Sequence, residues 1–329
     1  MQSTAIPGAK ERLLFRRVLC LGVPIGLFLL ASGLPILVGQ PAQPVRLNRT
    51  IELLEQGKST FGIFSKDRSL DNARELARSS LDFIIIDMEH SPFDTETLRN
   101  FLLGMIDKRA ILEKGNLQPS VTPIVRIPSN GREQLQFLSK QVLDVGAFGV
   151  MFPYVCNREE ALNAVRSARY PQRKGAADME PAGIRGNAPG NAVWYWGISD
   201  YTDRADLWPL DPRGELLTMI QIETPEGVKN VEDILSVPGI GSIFIGPNDL
   251  SMSLGHPNDF NAPEVEAAVQ VVLKACKARN IPCGILCPNA ADVEKRIREG
   301  FRIVTVGLDG GITANAATAL QRGRTAAGR

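Results

Sequence analysis

From Leu47 onward, short β-branched and apolar runs alternate with stretches of helical spacing, and this alternation constrains the fold more than any other feature of the chain. The runs are Thr60–Ser65, Asp82–Asp87, Pro123–Ile127, Phe148–Pro153, Leu216–Glu223, Ser242–Gly246, Pro282–Cys287 and Arg302–Gly307. Amphipathic stretches lie between them: Leu70–Ser79, Arg132–Leu143, Glu159–Ala168, Glu226–Ser236, Pro263–Ala278 and Ala291–Glu299. Asp94 ahead of Thr95–Leu103 and Asn289 ahead of Ala290 are residue types that cap helix N-termini. FIIID, SIFIG and RIVTV are almost continuously apolar, as strands buried on both faces must be, and such strands run parallel. This succession predicts an α/β fold, a (β/α)8 TIM barrel. An open doubly wound sheet would need a Gly-rich phosphate turn after its first strand, and Phe61-Gly62-Ile63-Phe64-Ser65-Lys66 is not one.

The alternation starts late. Lys10, Arg12, Arg16 and Arg17 precede an apolar run over residues 18–38, close to the ~20 residues that cross a bilayer as a helix. Basic residues ahead of such a run predict a signal peptide or membrane anchor that engages the membrane or the export machinery. Pro24 and Pro35 weaken the anchor reading, and Arg16-Arg17 hints at twin-arginine export. The expected organisation is an anchor or signal plus linker over 1–45 and one barrel over 46–329, the protein being exported (periplasmic or extracellular) or anchored through residues 18–38. With 37 basic and 36 acidic residues the net charge is +1, which leaves no global field for nucleic acid.

Two connections are long. Leu103–Thr122 is polar, and Tyr170–Gly214 is rich in Gly, Pro and aromatics (Trp194, Tyr195, Trp196, Tyr201, Trp208). Such a segment is an aromatic-stapled surface loop or subunit contact, with a substrate lid as the alternative. The basic tail from Arg322 is expected to fray.

Active sites of such barrels form at the C-terminal ends of the strands. There the sequence places Asp87-Met88-Glu89-His90, Arg126, Gln221-Ile222-Glu223, Gly246-Pro247-Asn248-Asp249 and Gly307-Leu308-Asp309. Glu223 and Asp249 offer two hard oxygen ligands without a Cys/His cluster, which suits Mg²⁺ or Mn²⁺, with Co²⁺ as a further option, better than structural zinc. An ion with open positions can chelate a 2-oxo acid and stabilise its enolate. Arg126 is placed to hold the oxyanion, and His90 to act as base, oriented by Asp87, Glu89 or a facing carboxylate. His256 stands in a Gly-Pro turn and reads as a surface residue. Cys283 and Cys287 lie too far apart along one strand to bridge, and Lys66 leaves a Schiff-base mechanism without a second supporting feature.

At these residues the chain resembles the HpcH/HpaI aldolase family, the metal-dependent class II pyruvate aldolases. The resemblance runs through Ile86-Asp87-Met88-Glu89-His90-Ser91-Pro92, Val125-Arg126-Ile127-Pro128, Val142-Leu143-Asp144-Val145-Gly146-Ala147, Ala182-Gly183-Ile184-Arg185-Gly186, Gln221-Ile222-Glu223-Thr224 and Phe244 to Ser251. It implies a barrel of the phosphoenolpyruvate/pyruvate-binding type, with its last helix exchanged between subunits of a homo-oligomer, a hexamer built as a trimer of dimers. It also implies Glu223 and Asp249 as metal ligands, Arg126 on the pyruvate keto oxygen, His90 as base paired with Asp144, and Gln221 and the Gly246–Asp249 backbone around the substrate. No organic cofactor is called for. The implied reaction is reversible aldol cleavage of a 4-hydroxy-2-oxo acid to pyruvate and an aldehyde. The alternatives are a CoA-thioester lyase like the citrate lyase β-subunit and a non-catalytic exported 2-oxo-acid-binding protein. Met88 departs from the family's usual Gly and suggests a tighter pocket, while Gln172–Glu180 reads as an insertion near the aldehyde or a neighbouring subunit.

Overall fold

The computed structural model describes residues 45–128, 136–308 and 314–329, which fall in the unit Pro44–Arg329. Its strands are β1 (Thr60–Ser65), β2 (Phe83–Asp87), β3 (Thr122–Arg126), β4 (Gly149–Phe152), β5 (Leu207–Trp208), β6 (Leu216–Ile222), β7 (Ser242–Ile245), β8 (Cys283–Leu286) and β9 (Ile303–Leu308). All pair in parallel, in the order β4-β3-β2-β1-β9-β8-β7-β6-β5, and β4 also pairs with β6. That last pairing closes an eight-stranded barrel, and the two-residue β5 sits against the start of β6.

The strands behave as their apolar runs predict: β1, β2, β3 and β6 are buried at every position. Alternate side chains therefore feed two cores. Phe64, Phe83, Ile85, Met151, Met219 and Phe244 fill the barrel interior, and the outer set packs under the helices. Rings this large fit only because small residues face them. A Cβ on Gly62 would lie 2.4 Å from the Phe83 ring, and one on Gly284 would lie 2.6 Å from that of Phe244. The helix Arg49–Glu55 plugs the N-terminal mouth with Ile51 and Leu54, both members of the interior core. Its cap Asn48 accepts from Ile51 N at 3.1 Å and donates to the carbonyls of Phe148 and Glu215, tying the plug to the residues just ahead of β4 and β6.

The expectations about location and partners are corrected. Among the described residues no helix is long and apolar enough to cross a membrane. The 18–38 segment lies outside the described residues, so anchoring, export and membrane engagement are carried no further. The helix expected to be exchanged between subunits, Ala314–Ala326, packs on its own barrel, with Gly323 against Val293 and Phe61. Nor does the tail fray. Arg329 holds the buried Asp82 carboxylate through Nη1 (2.7 Å) and Nη2 (3.0 Å).

The long Tyr170–Gly214 connection carries helices Gly190–Trp196 and Tyr201–Arg204 as well as β5. Trp196 stacks on Phe148 at 4.3 Å and donates to the Gly146 carbonyl, while Tyr201 donates to Leu143 O. These contacts staple the segment to the start of β4, at the end of the barrel away from the strand C-termini. It is an aromatic-stapled surface segment and not a lid. The Gln172–Glu180 insertion is anchored there too, through Asp178 on the fully buried Arg169.

Candidate active site

A cavity of about 830 Å³ opens at the C-terminal ends of the strands and is lined by Asp87, His90, Arg126, Gln221 and the turn Gly246–Asp249. Adjacent register creates its centre. Asp87 and Arg126 are direct partners across β2 and β3, so the guanidinium grips the carboxylate in a fork, Nε to Oδ1 at 3.0 Å and Nη2 to Oδ2 at 2.8 Å. The third nitrogen, Nη1, reaches Glu89 Oε2 at 2.9 Å. Asp87 Oδ1 also accepts the backbone N–H of Glu89 and His90, which pins the turn that carries the imidazole. Burial alone would raise the Asp87 pKa, but the Arg126 hydrogen bond and charge outweigh it and hold the group below the usual carboxylate range. His90 is half-exposed in the cavity, with Nε2 3.6 Å from Glu89 Oε2.

The second acidic group comes from the opposite wall. Glu223 follows β6 and is 1% exposed; its Oε2 accepts from Gln221 Nε2 at 2.6 Å and its Oε1 from Tyr154 N at 2.8 Å. Asp249 lies on the helix Pro247–Ser253, where its Oδ1 accepts from the Tyr154 hydroxyl at 3.1 Å. Burial, then Glu89 and Asp249, push the Glu223 pKa up to about 8. Burial likewise raises Glu89 to about 7 against the pull of Arg126, with Asp87 and Asp249 adding to the rise. The site thus concentrates more negative charge than Arg126 neutralises.

That excess fits a divalent cation. Two further observations agree. Gln221 Oε1 is buried with no protein partner, as an acceptor for a bound water would be, and a Cβ on Gly246 would fall 2.4 Å from Glu223 Oε2, so only glycine leaves the carboxylate its place. A raised carboxyl pKa stabilises the fold below the unfolded value and loses that contribution as pH rises through the folded one. Metal-free protein is therefore expected to melt at progressively lower temperature from about pH 4.5 to about 8, a slope that Glu223→Gln flattens. Thermal melts in chelator across that range measure it; a melting temperature that climbs with pH contradicts the assignment.

A second acidic cluster was not anticipated. Asp178, Asp206 and Asp211 have ligand atoms within 4.8 Å of one another, a spacing suited to a divalent ion. Arg169, however, already binds two of the three, at 2.6 Å to Asp206 and 2.8 Å to Asp178, and so supplies the cluster's cation from within the chain.

His90, Arg126, Gln221, Glu223, Asp249, Asp87, Glu89 and the turn Gly246, Pro247 and Asn248 are thus gathered in one place. Asp144 is not. It ends the helix Gln136–Asp144, which returns to the barrel's other end, and its carboxylate is taken by Arg185 (3.0 Å) and Lys140 (3.1 Å). The implied pairing with His90 is absent within the chain for that topological reason. Met88 does not tighten the pocket, because its side chain is fully buried in the outer core. Lys66 lines the cavity as an ion-pair partner of Asp87 at 3.8 Å, and His256 pairs with Glu264 at 3.3 Å outside it. Cys283 and Cys287 are free, buried thiols. Asp309 lies outside the described residues. Tyr154 is the residue that the sequence reading missed; it stands just beyond β4, where the same strand-end rule would have found it.

The profile of the HpcH/HpaI aldolase/citrate lyase family matches residues 60–316. A 5-keto-4-deoxy-D-glucarate aldolase of Enterobacter sp. (strain 638) is 32% identical over 257 residues, covering 78% of this chain and 88% of the relative. Among solved structures, a HpcH/HpaI aldolase/citrate lyase family protein from Burkholderia cenocepacia J2315 superposes with a TM-score of 0.67 at 29% identity, over 84% of this chain and 95% of its own. A HpcH/HpaI aldolase from Desulfitobacterium hafniense DCB-2 gives 0.63 at 26%, over 82% and 92%.

Proposed function

Because the chain belongs to the HpcH/HpaI aldolase/citrate lyase family, we propose that this cavity is the active site of a metal-dependent carbon–carbon lyase that cleaves a 4-hydroxy-2-oxo acid to pyruvate and an aldehyde. The observation that carries the reading is the charge arrangement: Glu223 and Asp249 face Glu89 across the site, the Glu223 and Glu89 carboxyls both have raised pKa values, and Arg126 is held rigidly beside Glu89. Glu223 and Asp249 would hold the divalent ion, Mg²⁺ or Mn²⁺, which supplies Lewis acidity toward the 2-oxo group when bound.

The chain's own groups account for the rest. Two of the five Arg126 N–H groups are fixed on Asp87 and Nη1 is ion-paired with Glu89, so the guanidinium is held in a fixed orientation with N–H groups remaining to meet an oxyanion. In cleavage His90 takes the proton of the 4-hydroxyl. The C3–C4 bond then breaks with its electron pair moving toward C3, the aldehyde carbonyl forms at C4, and a proton returned to C3 completes pyruvate. Glu89 Oε2 lies 3.6 Å from His90 Nε2, beside the base. Phe64 and Phe244, edge to face at 5.8 Å, line the cavity from the barrel interior and keep water from beneath the reacting carbons.

Deuterium incorporation into the pyruvate methyl group tests this without a choice of aldehyde. The full chain is expected to catalyse exchange with Mg²⁺ or Mn²⁺ and to stop in excess chelator. Undiminished exchange in chelator contradicts a metal-dependent site. Absence of exchange in metal-loaded, folded protein contradicts the lyase.

A further inference from the structure

Tyr154 adopts φ 54°, in the left-handed region that side chains other than glycine rarely occupy. Such strain persists only where the surroundings over-determine it, and it clusters at functional sites. The surroundings here are two carboxylates from different parts of the barrel. The Tyr154 backbone N–H donates to Glu223 Oε1 at 2.8 Å, beyond β6, and its hydroxyl donates to Asp249 Oδ1 at 3.1 Å, beyond β7. An ionised carboxylate only accepts, so the phenol must be the donor.

One residue therefore spans both acids and engages one oxygen of each. Glu223 Oε2 is held separately by Gln221, so Glu223 is oriented through both oxygens, whereas Asp249, which lines the cavity, is engaged by Tyr154 through Oδ1. The left-handed backbone is what lets the main chain point at one carboxylate and the side chain at the other. We propose that Tyr154 is a positioning residue that sets the spacing and orientation of Glu223 and Asp249 for the divalent ion, a role that rests on the metal-dependent reading above. Groups of this kind around metal ligands typically govern affinity by about 10- to 100-fold.

The test is Mn²⁺ binding to metal-stripped full-length protein, followed by the EPR signal of free Mn²⁺. Tyr154→Phe deletes only the hydroxyl and is expected to raise the Mn²⁺ Kd by about 10- to 100-fold while leaving the melting temperature of metal-free protein unchanged. Tyr154→Gly relieves the backbone and keeps the N–H, so it guards against a folding defect and is expected to bind Mn²⁺ as weakly as the Phe variant. Binding by Tyr154→Phe as tight as that of the parent overturns the proposal. Glu223→Gln separates the two levels of the argument. If it abolishes binding and Tyr154→Phe does not weaken it, only the role of Tyr154 falls; if it leaves binding intact, the metal assignment and this proposal fall together.

Discussion

Arg126→Ala is expected to slow pyruvate exchange by about 10²- to 10³-fold, the usual effect of removing one preorganised oxyanion donor, and to destabilise the fold by about 3–5 kcal/mol. Both effects come from one geometry. The Arg126 side chain is 9% exposed and Asp87 only 1%, so removing the guanidinium strands a buried carboxylate and leaves Glu89 without its cation. The stability loss should depend on pH. In the parent, the lowered Asp87 pKa contributes stability above the unfolded value, and that contribution disappears only as pH falls through the folded one. In the variant, burial raises Glu89 without the opposing pull of Arg126, and Asp87 keeps the weaker pull of the His90 N–H and charge, so the stability tied to Glu89 is present below its unfolded value and lost as pH rises. Urea titrations at pH 5 and pH 8 should show a smaller deficit at the lower pH. An equal deficit at both would mean that packing, and not charge, is what Arg126 contributes. Arg126→Lys returns a charge but not the fork, so exchange should remain impaired while the pH dependence recedes.

Arg169→Ala is expected to cost a similar 3–5 kcal/mol with little effect on exchange, because it lies outside the cavity. Arg169 is fully buried and binds Asp206 through two nitrogens, Asp178 through a third contact, and the Pro181 carbonyl at 2.9 Å. It thereby fastens the Gln172–Glu180 insertion to the edge strand β5, whose first residue donates its N–H to Asp206. Without the guanidinium, Asp178 and Asp206 lose their cation, and Arg213, 3.4 Å from Asp211, is the basic group left beside the cluster. Millimolar Ca²⁺ should then recover part of the lost melting temperature in the variant and change the parent little. Equal stabilisation of parent and variant by Ca²⁺ would show that the cluster takes up a metal with Arg169 in place.

The strands were legible because burial on both faces leaves a nearly continuous apolar signature that needs no neighbour to interpret. Each expected run agrees with an observed strand to within about one residue at its ends, and Thr60–Ser65 agrees at both. The expected helix Glu226–Ser236 is instead two helices, Pro225–Lys229 and Val231–Leu235, meeting at Asn230, whose side chain turns inward to the Cys156 carbonyl. A distant acceptor decided that break, and periodicity carries no trace of it. β5 escaped notice for a related reason: two residues hold no period, and they form a strand only because the start of β6 lies beside them.

The site divides along the same line. Residues at the C-terminal ends of strands or just past them were readable, since position along a strand fixes the end of the barrel at which a side chain emerges. Asp87, Glu89, His90, Arg126, Gln221, Glu223 and Asp249 all belong to that class, and Tyr154 does too. Asp144 does not, because it ends a helix, and helices run back toward the other mouth. Sequence by itself determined the barrel, the rim and the cast of acids and bases, through burial periodicity and strand direction. Only the tertiary structure decided the partners: Arg126 with Asp87 and Glu89, Tyr154 across Glu223 and Asp249, Arg185 with Asp144, Arg169 within its acid cluster. Pairing of charges and donors depends on distances between segments remote in the chain, and those distances exist only once the barrel has closed.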